Sequence, residues 1–171
     1  MKAAAAASLA VSVAALLSGC AGYRLGDVKP STLKNVHTIA VTTFKNNTYI
    51  PRVEALVTNT VIKQIQQDGT FRVTSVDKAD AVLDGVVSGI GRGPARSVRG
   101  NVLATTEFNL GITVGWTLRT KDGAAVAGPA SSTGGTSFFV GSDVATDERQ
   151  ALPLATEDLA VRLVSQLTEG W

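Results

Sequence analysis

The stretch that decides the fold runs from Thr105 to Arg119 and reads TTEFNLGITVGWTLR. From Phe108 to Leu118 every second residue is apolar, whereas the residues between them are polar or glycine. Because side chains alternate between the two faces of a strand, this pattern predicts a β-strand with one buried face. At about 3.4 Å per residue the strand would span about 50 Å, so we expect a bend or bulge at Gly111 and Gly115.

The segments before this strand supply part of the layer that must cover its apolar face. Apolar residues at helical spacing predict a helix from Pro51 to about Gln67, and Gly69 is a suitable stop. Alternating or β-branched runs predict three further strands. These lie at residues 36–44, 71–76 and 81–90.

The segments after the strand predict a hairpin and a second helix. Lys121-Asp122-Gly123 is a hairpin signal, and residues 124–140 return with a small, polar and therefore irregular middle at 128–135. Asp147 and Gln150 resemble a capping box for a helix that ends near Thr168, with Pro153 delaying or kinking its start. One face of this helix carries Leu152, Leu159, Leu163 and Leu167. Together these elements predict an α+β two-layer sandwich, with two amphipathic helices packed on one face of a mixed four- to five-stranded β-sheet.

Composition excludes several classes of function. The 171 residues include 16 basic and 14 acidic side chains, a near balance that gives no case for nucleic-acid binding. One Cys and one His cannot form a disulfide framework or a Cys/His zinc site, and His37 has no nucleophile motif to serve. Asp77, Asp80 and Asp84 fit turn chemistry better than a cation site. We therefore predict no enzyme activity, no metal and no cofactor.

The beginning of the chain reads as an export signal for a lipoprotein. Residues 1–19 have a charged start and an apolar core that is too short to span a bilayer permanently. Leu17-Ser18-Gly19-Cys20 resembles the bacterial lipobox, which implies acylation of Cys20; the alternative is ordinary cleavage that leaves a soluble secreted protein. Ala21, by resemblance to lipoprotein sorting rules, favours the outer membrane. We expect residues 20–35 to be a lipid-anchored leader and residues 36–171 to be one domain.

The segment from Gly89 to Gly100, just before the long strand, is predicted to be a glycine-rich loop that carries Arg92, Arg96 and Arg99. Guanidinium groups match phosphate geometry in a bidentate manner, so these residues are candidates for binding an anionic head group. The alternative is solvated charge on an exposed loop. At an outer membrane the most abundant clustered phosphate belongs to lipopolysaccharide.

Several motifs, in this order, resemble the LptE family of lipopolysaccharide-assembly lipoproteins. They are Cys20-Ala21-Gly22-Tyr23-Arg24-Leu25 after the lipobox, Ile39-Ala40-Val41 leading to Phe44-x-Asn46-Asn47-Thr48, and Ala79-Asp80-Ala81-Val82-Leu83-Asp84-Gly85. The resemblance covers essentially the whole mature chain. It implies two helices on a sheet, a position as a plug inside the outer-membrane β-barrel LptD, and assistance in delivering lipopolysaccharide to the outer leaflet.

The resemblance also implies lipopolysaccharide contacts. Arg99 matches the family's arginine before the long strand, whereas the family's second basic position falls on Thr146 here, with Arg149 the nearest cation. Two other classes stay open. Phe44-x-Asn-x-Thr also occurs in lipoprotein activators of peptidoglycan synthases, and a lipid-anchored envelope enzyme is disfavoured by the missing catalytic residues.

Overall fold

The computed structural model describes residues 29–99 and 103–169, with the side chains of residues 98, 99, 103 and 104 excepted. The predicted signal peptide, Cys20, the first part of the predicted leader and the Arg99 side chain therefore lie outside the described residues. Strands are β1 (Thr38–Val41), β2 (Lys45–Asn46), β3 (Arg72–Val73), β4 (Ala81–Arg99), β5 (Leu103–Thr120) and β6 (Ala125–Phe139). Helices are α1 (Val53–Asp68) and α2 (Val144–Glu169).

The strands form one mixed sheet of order β3-β1-β4-β5-β6, and β2 pairs with β4 further along the same edge. β1 is parallel to β3 and β4, whereas β4, β5 and β6 form an antiparallel meander. Both helices cover one face of this sheet. The predicted α+β sandwich is confirmed, with six strands where four to five were expected.

The alternation of apolar and polar residues that predicted β5 matches the alternation of buried and more exposed side chains along that strand. Its even-numbered residues from Leu110 to Leu118 lie in the core at 4% exposure or less, together with the predicted leucine stripe of α2. Trp116 donates a hydrogen bond from Nε1 to Ser132 Oγ (2.9 Å), and Ser132 donates to Gln166 Oε1 of α2 (2.5 Å). A buried indole needs such a partner for its N–H group. Leu33, in a short 3-10 turn before β1, also reaches this core.

The β5 glycines, where a bend or bulge was predicted, do not form bulges. Gly111 pairs in register with Gly91 and Gly135, and Gly115 with Val86 and Ser131. The bulges lie elsewhere, between Val87 and Gly89 and around Arg96 in β4, and opposite Leu118 in β6. A bulge adds one residue to a strand, so the one after Val87 changes which side chains of β4 face the helices.

The middle of β6 is regular, contrary to prediction, from Ala130 to Phe139. Its small residues are explained by Gly134, where an added Cβ would lie 2.5 Å from the Ala155 carbonyl oxygen and closer still to the Leu159 backbone. Glycine is therefore needed at the point where α2 crosses the sheet. The predicted hairpin at 121–123 is confirmed, with Gly123 at φ 83°.

Helix ends differ from prediction in their capping groups. α1 begins at Val53, after Arg52 in a left-handed conformation, rather than at Pro51; Gly69 is its C-cap, as expected. α2 begins at Val144, well before Pro153, which lies inside the helix. Its first turn is capped by Asp143 Oδ1, which accepts from the Ala145 N–H (3.0 Å), so the predicted capping box at Asp147 is wrong.

Smaller strands are shorter than the sequence patterns suggested. The predicted strand at 36–44 is β1 alone, and the link after it leads into β2. The predicted strand at 71–76 is reduced to β3, because Val76–Lys78 forms a 3-10 turn. Every one of these elements lies at the sheet edge formed by β1 and β3.

Candidate functional site

The predicted arginine loop is not a loop. β4 continues through Arg99, and its pairing with β5 extends beyond the point where β6 ends, opposite Glu107. The two long strands therefore project past the rest of the sheet as a two-stranded ribbon, which begins at the Arg96–Glu107 pair. Gly91, Gly93 and Pro94, which predicted a loop, are accommodated because β5 supplies partners along the whole segment.

Arg92 faces the helical side of the sheet as a consequence of the bulge after Val87. It pairs in register with Leu110, its guanidinium carbon lies 5.5 Å from the centre of the Phe108 ring, and it forms an ion pair with Glu148 in the first turns of α2. Phe108 packs on Phe138, with ring centres 5.9 Å apart. This arrangement joins the base of the ribbon to the beginning of α2, so Arg92 already has a structural role.

Arg96 is more accessible. Its side chain is 71% exposed, and its Nε lies 3.8 Å from Glu107 Oε2, a long ion pair that stabilises little at a surface. Glu107 is the register partner of Phe139, a residue that is 71% exposed. A cation and an uncovered aromatic ring thus lie at the same end of the sheet.

The beginning of α2 adds the residues that match the family's second basic position. The Thr146 hydroxyl donates to Asp143 Oδ2 (2.6 Å) and accepts from Arg149 Nη2 (3.0 Å). The Thr146 hydroxyl, through its hydrogen bond, is the main cause that lowers the pKa of Asp143. Glu148 connects this turn to Arg92. The structure thus brings Arg92 and Arg149 to one end of the molecule, each already engaged with an oxygen of α2.

The two motifs that carry the family resemblance in the domain pack against each other. The Phe44 ring lies on Gly85, where an added Cβ would be 2.6 Å from the ring. Asn46 accepts from the Thr48 N–H (2.8 Å) and donates to Ile50 O (2.9 Å) and Glu54 Oε2 (3.0 Å). These residues build the turn before α1, as the sequence predicted, and hold the edge of the sheet.

The aspartates of the second motif accept hydrogen bonds within the protein. One oxygen of Asp80 accepts from the backbone N–H groups of His37 (3.0 Å) and Thr38 (2.8 Å) and from the Thr38 hydroxyl (2.9 Å). These bonds, the His37 amide first, lower the pKa of Asp80 to about 2. Asp84 accepts from the Thr42 hydroxyl (2.8 Å). Across residues 29–99 and 103–169 the structure contains no group of three potential metal-ligating side chains.

Comparison with known families gives a match to the model described as LptE, lipopolysaccharide-assembly, over residues 36–167. The chain belongs to the LptE family. It is thereby a lipopolysaccharide-assembly lipoprotein of the cell envelope, as the order of its motifs indicated. Among the residues described, no helix is both long and apolar enough to cross a bilayer.

Three solved structures that are similar to this LptE-family chain are distant from it in sequence. An uncharacterized lipoprotein B from Nitrosomonas europaea has a TM-score of 0.57 at 14% identity, covering 87% of this chain and 92% of its own. A minor lipoprotein from Acinetobacter baumannii has a TM-score of 0.54 at 12% identity, covering 80% and 95%. A PelC dodecamer from Paraburkholderia phytofirmans scores 0.51 at 20% identity, covering 82% and 94%. These show a shared fold. The curated proteins contain no sequence match.

Proposed function

We propose that this protein is an outer-membrane lipoprotein, anchored through acyl chains on Cys20, that works with an LptD-like β-barrel and binds lipopolysaccharide directly. The family match over residues 36–167 is the observation that carries the proposal. It favours this reading over an activator of peptidoglycan synthases or an envelope enzyme. The protein acts by binding and positioning, without catalysis of its own.

The ribbon formed by β4 and β5 is the proposed lipopolysaccharide contact. Lipopolysaccharide is amphipathic, with phosphorylated sugars above acyl chains. At the base of the ribbon, exposed Arg96 offers a cation for the phosphates and exposed Phe139 offers an apolar surface for the acyl chains. Arg99 is the last residue of β4. Arg92 contributes mainly by holding the ribbon on α2, because a phosphate would have to displace Glu148 from it.

The partner is tested by purification. The full-length protein is extracted from its native membrane in mild detergent and captured. The proteins that co-purify with it are then identified by mass spectrometry. We expect a large outer-membrane β-barrel at near-stoichiometric amounts. Capture of a peptidoglycan synthase in its place would support the activator function, and capture of neither would contradict both.

Arg99→Glu is expected to weaken lipopolysaccharide binding by about tenfold at low salt, because charge reversal removes one charge-assisted contact and adds repulsion. Binding is measured with purified full-length protein and lipopolysaccharide. Arg72→Glu is the matched control, since Arg72 is an exposed arginine that lies in β3, at the edge of the sheet and away from the ribbon. Equal affinities for the two variants and the parent, with unchanged melting curves, would show that the ribbon is not the contact.

A further inference from the structure

The sheet face opposite the helices contains a groove that the proposed function does not use. Its volume is about 550 Å³, and it lies over β4 and β5, between the β1–β2 link on one side and Pro129 on the other. No helix formed by residues 29–99 or 103–169 covers this face. Gly115 forms part of the floor, and an added Cβ there would approach nothing closer than the Ala130 carbonyl oxygen at 4.0 Å.

Two cations of the described chain line this groove without an ion-pair partner in that part of the structure: Lys45 and Arg119. Both are exposed. Lys45 pairs in register with Val86, and Arg119 with Val82, so the two approach the groove from neighbouring strands on either side of Asp84. With one carboxylate between two cations, the groove has a net positive charge.

Hydroxyl groups fill the space between these charges. Thr43 and Thr117 line the groove, and within residues 29–99 and 103–169 their hydroxyls form no hydrogen bond with the protein. The Asp84 carboxylate accepts from Thr42 and retains further acceptor capacity. A second depression of about 490 Å³ shares Asp84 and Arg119 and continues towards Lys121.

We propose that this groove binds a phosphorylated sugar. Lys45 and Arg119 would take the phosphate, since ammonium and guanidinium groups both bind phosphate oxygens. Asp84 and the free threonine hydroxyls would bind sugar hydroxyls, which can donate to a carboxylate. Inorganic phosphate lacks these sugar hydroxyls and would therefore lose those contacts. The site is separate from the ribbon contact, because along β5 Arg119 lies about 40 Å from Glu107. If the phosphorylated sugar belongs to lipopolysaccharide, the site deepens the proposed function and rests on it; if it is a free sugar phosphate, the site goes beyond that function.

The experiment uses ¹⁵N-labelled full-length protein in detergent, titrated separately with glucose 6-phosphate, deacylated lipopolysaccharide, glucose and inorganic phosphate. We expect saturable shifts of the Gly115, Thr117 and Ser88 amide signals with one or both phosphorylated sugars, and far weaker effects with glucose or phosphate alone. Binding of deacylated lipopolysaccharide identifies that saccharide as the source; binding of glucose 6-phosphate alone identifies a free sugar phosphate. Either result supports the site.

Matched variants separate binding from folding. Lys45→Glu and Arg119→Glu are each expected to weaken binding about tenfold, whereas Lys63→Glu, at an exposed position of α1, leaves it unchanged. Gly115→Val is expected to fill the floor of the groove and block binding. Gly89→Val is the control and is expected to leave binding unchanged, because Gly89 lies on the same face but outside the groove and is also free of close neighbours. The proposal is overturned by equal shifts with inorganic phosphate, by no saturable shift, or by binding that survives Gly115→Val. Each of these results leaves the barrel and ribbon tests unaffected.

Discussion

Asp80 connects two strands through a single carboxylate oxygen. It sits just before β4, yet it accepts hydrogen bonds at the start of β1, from the backbone of His37 and Thr38 and from the Thr38 hydroxyl. Hydrogen bonds to a carboxylate favour its charged form, which is why its pKa falls to about 2 from 3.8. The folded state therefore binds this proton less readily than the unfolded chain does.

Asp80→Asn is expected to lower the free energy of unfolding at pH 7 by roughly 1 kcal/mol, a modest value because the carboxylate is exposed to solvent. The depressed pKa means that the contribution of Asp80 is fully present above about pH 4 and is lost as the pH falls towards about 2. Urea unfolding of the parent and the variant at pH 7 and at about pH 2 measures the difference in stability. A difference in stability that persists undiminished at pH 2 would contradict the assignment.

The partner of Arg92 could not be predicted from the residues next to it in the sequence. Three arginines among glycines predicted an open phosphate-binding loop, but Arg92 pairs with Glu148, which lies 56 residues further along the chain. The partner becomes visible only once α2 is placed on the sheet. The bulge after Val87, which turns Arg92 towards the helices, lies beside Gly89. Glycine alone does not identify a bulge, however, since Gly111 and Gly115 pair in register.

At the scale of elements, Gly134 determines how closely α2 packs on β6. Gly134→Ala is expected to destabilise the domain by about 1–3 kcal/mol, because the new methyl group would meet the helix backbone, which cannot rotate away as a side chain can. Gly135→Ala is the neighbouring control; it faces away from the helix, and its Cβ would lie 3.1 Å from the Leu110 carbonyl oxygen. Chemical denaturation measures both. Equal, small losses for the two variants would show that α2 shifts freely.

The elements that the sequence predicted best are those in which one physical signal dominates. β5 was predictable from alternation, α1 and α2 from their apolar stripes, and the 121–123 turn from its glycine. Composition misled where tertiary contacts decide: the glycines of β4 suggested a loop, and the small residues of β6 suggested irregularity, although β5 pairs with both. Likewise, Asp147 matched a capping box, yet Asp143 caps α2 and Asp147 accepts from the Gly141 N–H (2.7 Å).

At the scale of the whole molecule, the proposed location depends on acyl chains carried by Cys20. Each buried CH₂ of an acyl chain contributes about 0.8 kcal/mol, and one chain alone gives only marginal binding; several chains hold a protein stably.

Cys20→Ala should therefore abolish metabolic palmitate labelling and move the protein from the membrane fraction to the soluble fraction. Cys20→Ser serves as a second thiol-free variant, and Gly89→Val, which leaves Cys20 and the lipobox unchanged, serves as a control that keeps the label. Palmitate incorporation into Cys20→Ala at the level of the parent would place the lipid elsewhere and remove the basis for an anchored role.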